Sequence, residues 1–413
     1  MDLRTSFLSR IAGQLPDDAR DSLPPTYFYD LDIAAENVDR LRAGLPPQIE
    51  VAYSLKANCE PDFVAGLMAR RTDLVVDVCS LFELELVLEL GVAPSNIVFT
   101  GPGKTAAELR RAVRAGVTLI VCESIEELRL LDALAAERGQ PAQCLLRINP
   151  ASTAAGLERP FSGVRSHFGI DLDELQVEVG AIRAMGHVRV CGLHFYVGSR
   201  NLDAADIARS FHAFREIFQT VNGWFEGALD TLDLGGGFGV PYYDWEAPLD
   251  LTLLRAELAS LDLSPFRRVL VESGRFIAAS SAVYLCRVLY TKQRGGRDIA
   301  VLDGGLCSFY LLSDHAAMSQ DKPNRNFLMA VLGKSAAPGQ DRPWDLYGNA
   351  PTGSDVVGRS VPLPALAPGD LLAVFNAGAY GRMTSLSQFL GRGLADAVLL
   401  PSAAQAASSE RST

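Results

Sequence analysis

Short apolar runs rich in β-branched residues alternate, through the first two-thirds of the chain, with segments whose apolar positions recur at helical spacing. The runs fall near Ile49–Tyr53, Leu74–Val78, Ile97–Phe99, Val117–Val121, Gln143–Ile148, Val188–His194, Thr231–Leu234 and Arg268–Glu272. Each predicts a strand. Several of the intervening segments carry helix start signals: Ser80 precedes Glu83, Thr105 precedes Glu108 and Ser124 precedes Glu127, each at the spacing of a capping box. Gly91 and Gly116 stand where two of these helices would stop. Asp32 is placed to cap a further helix running from Ile33 toward Leu45. Strand followed by helix, eight times over about 240 residues, predicts an α/β fold of the (β/α)8 barrel type. A doubly wound open sheet is the competing arrangement, and the even spacing of the units favours the barrel.

The texture changes after Glu272. Ala282–Thr291, Ile299–Asp303, Phe327–Val331 and Leu371–Phe375 read as strands separated by loops rich in Gly, Pro and Asp. The chain therefore divides into a barrel over 25–275, a β-rich domain over 276–402 that takes part of 1–24 with it, and a small, polar, frayed tail over 403–413.

Composition narrows the chemistry. A 48% apolar and 21% charged chain of 413 residues is that of a globular enzyme. It has no run of about 18 apolar residues to span a membrane, and no secretory signal opens it, so the expected compartment is the cytoplasm. With 38 basic against 49 acidic residues, its net charge of −11 disfavours nucleic acid and anionic lipid as partners. Seven cysteines without a CxxC pair and five histidines without HExxH give no metal signature, and most of the thiols read as inert core residues.

In a barrel of this kind the chemistry lies at the C-terminal ends of the strands. The unusual residues cluster there: Lys56 in AYSLKAN, Asp77 and Ser80 after the second strand, Arg147 in the fifth, His194 ending the sixth, Gly235, Gly236 and Gly237 after the seventh, and Glu272, Gly274 and Arg275 after the eighth. Three glycines let backbone amides approach an anion, although they equally mark a tight turn; Arg275 adds forked donors suited to phosphate. A lysine buried at the barrel mouth loses proton affinity and becomes able to form a Schiff base. Glu272 is placed to meet a protonated ring nitrogen. His194 is placed to stack on a flat ring, or is a core histidine with its hydrogen bonds satisfied. Lysine, phosphate cradle and carboxylate together describe a site for pyridoxal 5'-phosphate.

The motifs AYSLKAN, DVCSLFE, HFYVGS, LDLGGGFG, ESGR and NAGAYG, in this order, resemble those of the fold-type III pyridoxal phosphate decarboxylases, the family of diaminopimelate, ornithine and arginine decarboxylases. The resemblance runs over nearly the whole chain. It implies an alanine racemase-like barrel followed by a β domain, paired as a homodimer with the sites at the interface. It assigns Lys56 to the cofactor imine, His194 to the ring face and Glu272 to the pyridine nitrogen. Ser199, Gly235 to Gly237, Gly274, Arg275 and Tyr380 fall to the phosphate, with Asp77 and Arg147 in the same cofactor set. Tyr196, Thr352 and Asp355 fall on the substrate side, with a contribution from the partner subunit.

One departure matters. The family's β domain supplies a cysteine in a stretch like GPxCxSxD, and the resemblance gives it the task of orienting the intermediate and protonating the carbanion. Here that stretch reads YGNAPTGSDVVG, with Pro351 at the cysteine position and Asp355 at the terminal aspartate. Cys307, His194, Tyr196 or a water is left for the task. Among family branches, the chain is most similar in texture to those acting on glutamyl or methylaspartyl groups tethered to acyl carrier proteins in natural-product biosynthesis. The implied activity is α-decarboxylation of such a group. Decarboxylation of free diaminopimelate or of a siderophore intermediate is the alternative, and a catalytically silent cofactor-binding homologue a further one. Arg70, Arg71, Arg110, Arg111 and Arg114 are the basic residues available to an acidic carrier, or are simply solvated helix faces.

Overall fold

A computed structural model describes residues 3–16, 18–150, 166–196, 198–317, 325–335, 337 and 339–402. Strand β1 (Thr26–Tyr29) comes first. It is followed by β2 (Ile49–Ser54), β3 (Val75–Val78), β4 (Ile97–Phe99), β5 (Leu119–Cys122), β6 (Ala142–Asn149), the two-residue β7 (Ile170–Asp171), β8 (Val188–His194), β9 (Thr231–Asp233) and β10 (Arg268–Glu272). All but β1 and β7 form a closed barrel of eight parallel strands, in which β5 pairs with β6 and β10 returns to β2 with Glu272 opposite Ala52. β7 is attached outside, to β6.

Parallel strands of this kind are buried on both faces, which is why they read as continuous apolar runs. Ala52, Val75, Val98, Leu119, Val121, Leu145, Cys191 and Leu270 form a separate cluster of small and branched side chains. The opposite faces join the larger core under the helices, with residues such as Val51, Val76 and Val271.

The helix starts also bear on the site. Each barrel helix begins where a strand ends, so its capping residues rim the mouth. Thr105 and Glu108 form the reciprocal capping box at Ala106–Ala115, and Gly116 closes that helix at φ 83°. Ser80 and Ser124 accept from the amides of Glu83 and Glu127 as expected, but those two carboxylates reach one residue further back, to the amides of Cys79 and Glu123. The helix Leu31–Ala43 is capped by Asp30 rather than Asp32. The extended backbone of Asp30 lets its carboxylate accept from the amides of Asp32 and Ile33, whereas Asp32 already lies inside the first turn.

The second sheet comprises β11 (Ala282–Arg294), β12 (Arg297–Leu302), β13 (Met329–Val331), β14 (Arg342–Tyr347), β15 (Val356–Leu363), β16 (Leu371–Val374) and β17 (Asp396–Leu399), together with β1. Its axis is the 13-residue β11, which pairs antiparallel with β1, β12 and β16. The sequence boundary at 25 puts Thr26–Tyr29 with the barrel. The pairing puts it in the second sheet, between β11 and β17, because nothing in the barrel offers those residues an open edge. Phe7 and Ile11 of helix Leu3–Ala12 pack on the same sheet with Phe28, Val283, Leu285 and Phe375. The tail 403–413 lies outside the described residues.

Candidate active site

Four ionisable side chains converge at one side of the barrel mouth. Lys56 sits on the single turn Leu55–Ala57 after β2, with Nζ 3.1 Å from Asp77 Oδ2 of β3 and 4.0 Å from Glu272 Oε2 of β10. Glu272 Oε1 lies 3.1 Å from His194 Nε2 at the end of β8. Both members of that pair are buried. Burial alone would raise Glu272, but the charge and hydrogen bond of His194, with Lys56 and Arg147 behind them, hold it down at about 2. Burial likewise opposes protonation of His194, and Glu272 outweighs it, so the imidazole is raised above its ordinary value. Lys56 corrects the sequence expectation. Burial does push its proton affinity down, but Asp77, Cys79 and Glu272 push it up further, and the net effect is an ammonium held well above the ordinary lysine value. Asp233, beside this group, is pushed up to about 7 by burial and by Glu272.

The other side of the mouth is built from a glycine loop, hydroxyls and one guanidinium. Gly235 adopts φ 67° and Gly237 φ 114°, conformations that side chains other than glycine rarely take. A Cβ on Gly236 would stand 2.2 Å from the Glu272 carbonyl oxygen, so the loop lies directly on β10. Arg275 opens the short helix Arg275–Ala278, donates to the Tyr242 hydroxyl at 2.8 Å and to Ser199 Oγ at 3.5 Å, and lies 4.5 Å from the Tyr380 ring centroid. No carboxylate pairs with it among the described residues. Tyr380 itself holds φ 54°, fixed by its amide donating to the Ala57 carbonyl.

Two cavities meet between these sides. One, of about 320 Å³, is lined by Gly236, Gly237 and Gly274; the other, of about 980 Å³, by Cys79, Thr100, Pro102, Arg147, Phe168 and His194; Lys56, Tyr196, Ser199, Glu272, Arg275 and Tyr380 border both. Arg147 is anchored to Glu123 at 2.8 Å and covered by the Phe168 ring at 4.4 Å.

A family model described as "Pyridoxal-dependent decarboxylase, pyridoxal binding domain" matches residues 32–279. The chain belongs to this family. It is 32% identical over 377 residues to the L-glutamyl-[BtrI acyl-carrier protein] decarboxylase of Niallia circulans, covering 89% of this chain and 86% of that one. It is 34% identical over 384 residues to the diaminopimelate decarboxylase of Pseudomonas aeruginosa, covering 91% and 87%. The crystal structure of diaminopimelate decarboxylase from Helicobacter pylori complexed with L-lysine superposes with a TM-score of 0.78 at 26% identity, covering 92% of this chain and 93% of that one. This chain is thus a pyridoxal phosphate-dependent amino-acid decarboxylase, a lyase built on a barrel with a second β domain.

The decarboxylase site fits its coenzyme on its own evidence. His194 Nδ1, Arg275 Nε and Ser273 Oγ, on residues that line the two cavities, are buried without a hydrogen-bond partner. An uncompensated guanidinium beside a glycine loop suits a phosphate dianion, and a lysine amine at the junction of the cavities suits an aldehyde.

Not every expected site residue comes to this mouth. Asp355 is buried within the second domain, where its two carboxylate oxygens accept from the amides of Leu306 and Ala350. Those bonds hold its own loop, and within one copy of the chain it lines neither cavity. Thr352 bonds to Ser354 on the surface of that loop, and neither it nor Cys307, which packs toward the Phe389 carbonyl, lines either cavity. Four of the five arginines offered to a carrier are ion-paired. Arg70 pairs with Asp32, Arg71 with Asp39, Arg110 with Glu137 and Arg111 with Glu85. Arg70, Arg71 and Arg114 lie at helix C-termini, the end of the barrel opposite Lys56. In turn, Glu123, Thr100, Asp233 and Tyr242 belong to the site and were missed, although Glu123, Thr100 and Asp233 lie at or just after strand runs, where the signal for mouth residues lies.

Proposed function

We propose that this decarboxylase removes the α-carboxylate of an amino acid joined through its distal carboxyl to an acyl carrier protein, an aspartyl, methylaspartyl or glutamyl group. The observation that carries this reading is the charge of the larger cavity. Among its described lining residues Lys56, Arg147 and Arg275 are cations and Glu272, engaged by His194, is the one carboxylate. A second ammonium at the far end of a substrate would find no free anion there, whereas an acyl end needs none. The similarity to the glutamyl-carrier decarboxylase supports the same reading.

In this reading Lys56 holds the coenzyme through its amine, Gly235–Gly237, Gly274, Ser199, Arg275 and Tyr380 hold its phosphate, and His194 lies against its ring. The bound coenzyme supplies an aldehyde for amine exchange and a ring that accepts the electron pair left by the departing carboxylate. Glu272, kept ionised by His194, holds a proton on the ring nitrogen. Asp77 takes up and returns the Lys56 proton as the amine is exchanged. Tyr196 and Arg147 with its Phe168 cover border the space left for the substrate. Two copies pair through the second domain, where Leu386, Phe389, Leu390 and Leu394 are exposed close together.

The test is a mass-spectrometric assay for loss of carbon dioxide from glutamyl- and aspartyl-charged carrier proteins beside free amino acids. Loss from a charged carrier is expected. Turnover of free diaminopimelate alone would select the second reading, which the 34%-identical relative favours.

A further inference from the structure

The site needs a proton for the carbon that loses its carboxylate, and the roles above do not supply one. We propose that Cys79 is the catalytic proton donor to Cα, recharged through Thr100 and Asp77. This rests on the decarboxylase reading and deepens it.

The geometry comes from Lys56. The substrate amine would replace the Lys56 amine on the coenzyme, which would bring Cα into the neighbourhood of the present Lys56 Nζ. Cys79 Sγ stands 3.8 Å from that Nζ. Of the seven cysteines it alone lines the larger cavity, which His194 also lines. The thiol is 3.1 Å from Thr100 Oγ1, which donates to Asp77 Oδ1 at 2.5 Å, and Asp77 Oδ2 faces the Lys56 ammonium at 3.1 Å. Thiol, hydroxyl, carboxylate and ammonium therefore form an unbroken chain. Burial, then the charge of Asp77, push the thiol up to about 12, so it stands protonated and is a proton source rather than a nucleophile. The backbone fixes it as well: its amide donates to Glu83 at 2.6 Å, the carboxylate that sits in the first turn of the next helix.

The step balances. The Cα–carboxylate bond breaks, carbon dioxide leaves, and the electron pair stays on the organic fragment. That pair takes the Cys79 proton to form the new Cα–H bond and leaves a thiolate. Thr100 passes a proton to the thiolate and recovers one from Asp77. Without the thiol, the proton would fall instead on the coenzyme's aldehyde carbon, and hydrolysis by water would give a carbonyl compound and pyridoxamine phosphate in place of the amine and the aldehyde coenzyme.

The experiment uses holoenzyme with Cys79→Ser and Cys79→Ala, supplied in parallel with glutamyl-charged carrier protein and free diaminopimelate. After each run the protein is denatured and the cofactor form and organic product are quantified. C79S differs by one atom, keeps a hydrogen bond to Thr100, and secures the test should C79A fold poorly; the visible absorbance of the bound cofactor reports loading in both. Expected are wild-type loading, a fall of about 10²-fold in amine formation, and pyridoxamine phosphate rising from a trace to a main product. Thr100→Val is expected to give a smaller shift in the same direction. Amine as the sole product of C79S and C79A, at the wild-type rate with whichever substrate releases carbon dioxide, overturns the assignment. Release from diaminopimelate alone overturns the carrier reading and leaves the donor test to be decided by the cofactor form.

Discussion

On one side of the mouth Lys56, Asp77, Glu272 and His194 are matched charge against charge. On the other, Arg275 meets only hydroxyls and rings, and the remaining donors are backbone amides. The first side is balanced before any ligand arrives, so each group there sets the protonation of its neighbours. The second carries an unmatched positive charge that an anionic ligand would complete. Chemistry and affinity should therefore separate by side, and substitutions can test this.

The largest expected effect is that of Lys56→Ala, which should remove the visible absorbance of the coenzyme linkage and all measurable turnover. Persistence of the band would place the linkage elsewhere. Glu272→Gln should lower kcat on the order of 10²-fold with little change in cofactor affinity. It should also let the His194 pKa fall below its ordinary value, because Glu272 is what outweighs burial. An NMR titration of the apoprotein checks this sign. In the wild-type apoprotein the same coupling makes the Glu272 contribution to stability present above about 4.5 and lost as pH falls toward 2. The His194 contribution is present at low pH and lost as pH rises through its raised value. Arg275→Met should do the reverse of Glu272→Gln, weakening the coenzyme by about 10- to 100-fold, as expected for loss of a charged hydrogen bond, with kcat at saturation little changed. Equilibrium dialysis measures it, and equal losses of kcat from both sides would dissolve the distinction. Asp355→Ala lies outside both. It should cost about 3 kcal/mol of stability by stranding two buried amides, lower the melting temperature, and leave KM unchanged.

The barrel was readable because its strands are short, parallel and covered on both faces, so that local apolar runs are the elements themselves. The second sheet was only partly readable. β14 and β15 contain Pro343, Gly358 and Pro362 and shift register against each other, so neither showed the run of a regular strand. β17 is only four residues long and exposed along its length, so its apolar residues do not mark a buried run. In the site, mouth residues could be named from position after a strand, but their partners could not. Nothing local to AYSLKAN reveals that Asp77 and Glu272 surround Lys56, which is why its proton affinity was read with the wrong sign. Asp355 shows the same limit, since a conspicuous aspartate in a matching motif gives no sign of the two amides it accepts from.

The position of β1 has a bearing on synthesis. Thr26–Tyr29 is made early, yet both its neighbours, Ala282–Leu285 and Asp396–Leu399, leave the ribosome far later. During translation the barrel strands can associate while this aromatic segment still lacks its mates. The nascent chain must therefore carry a bare tetrapeptide of threonine, two tyrosines and a phenylalanine until Ala282–Leu285 has emerged, a period in which a holdase chaperone would find its handle.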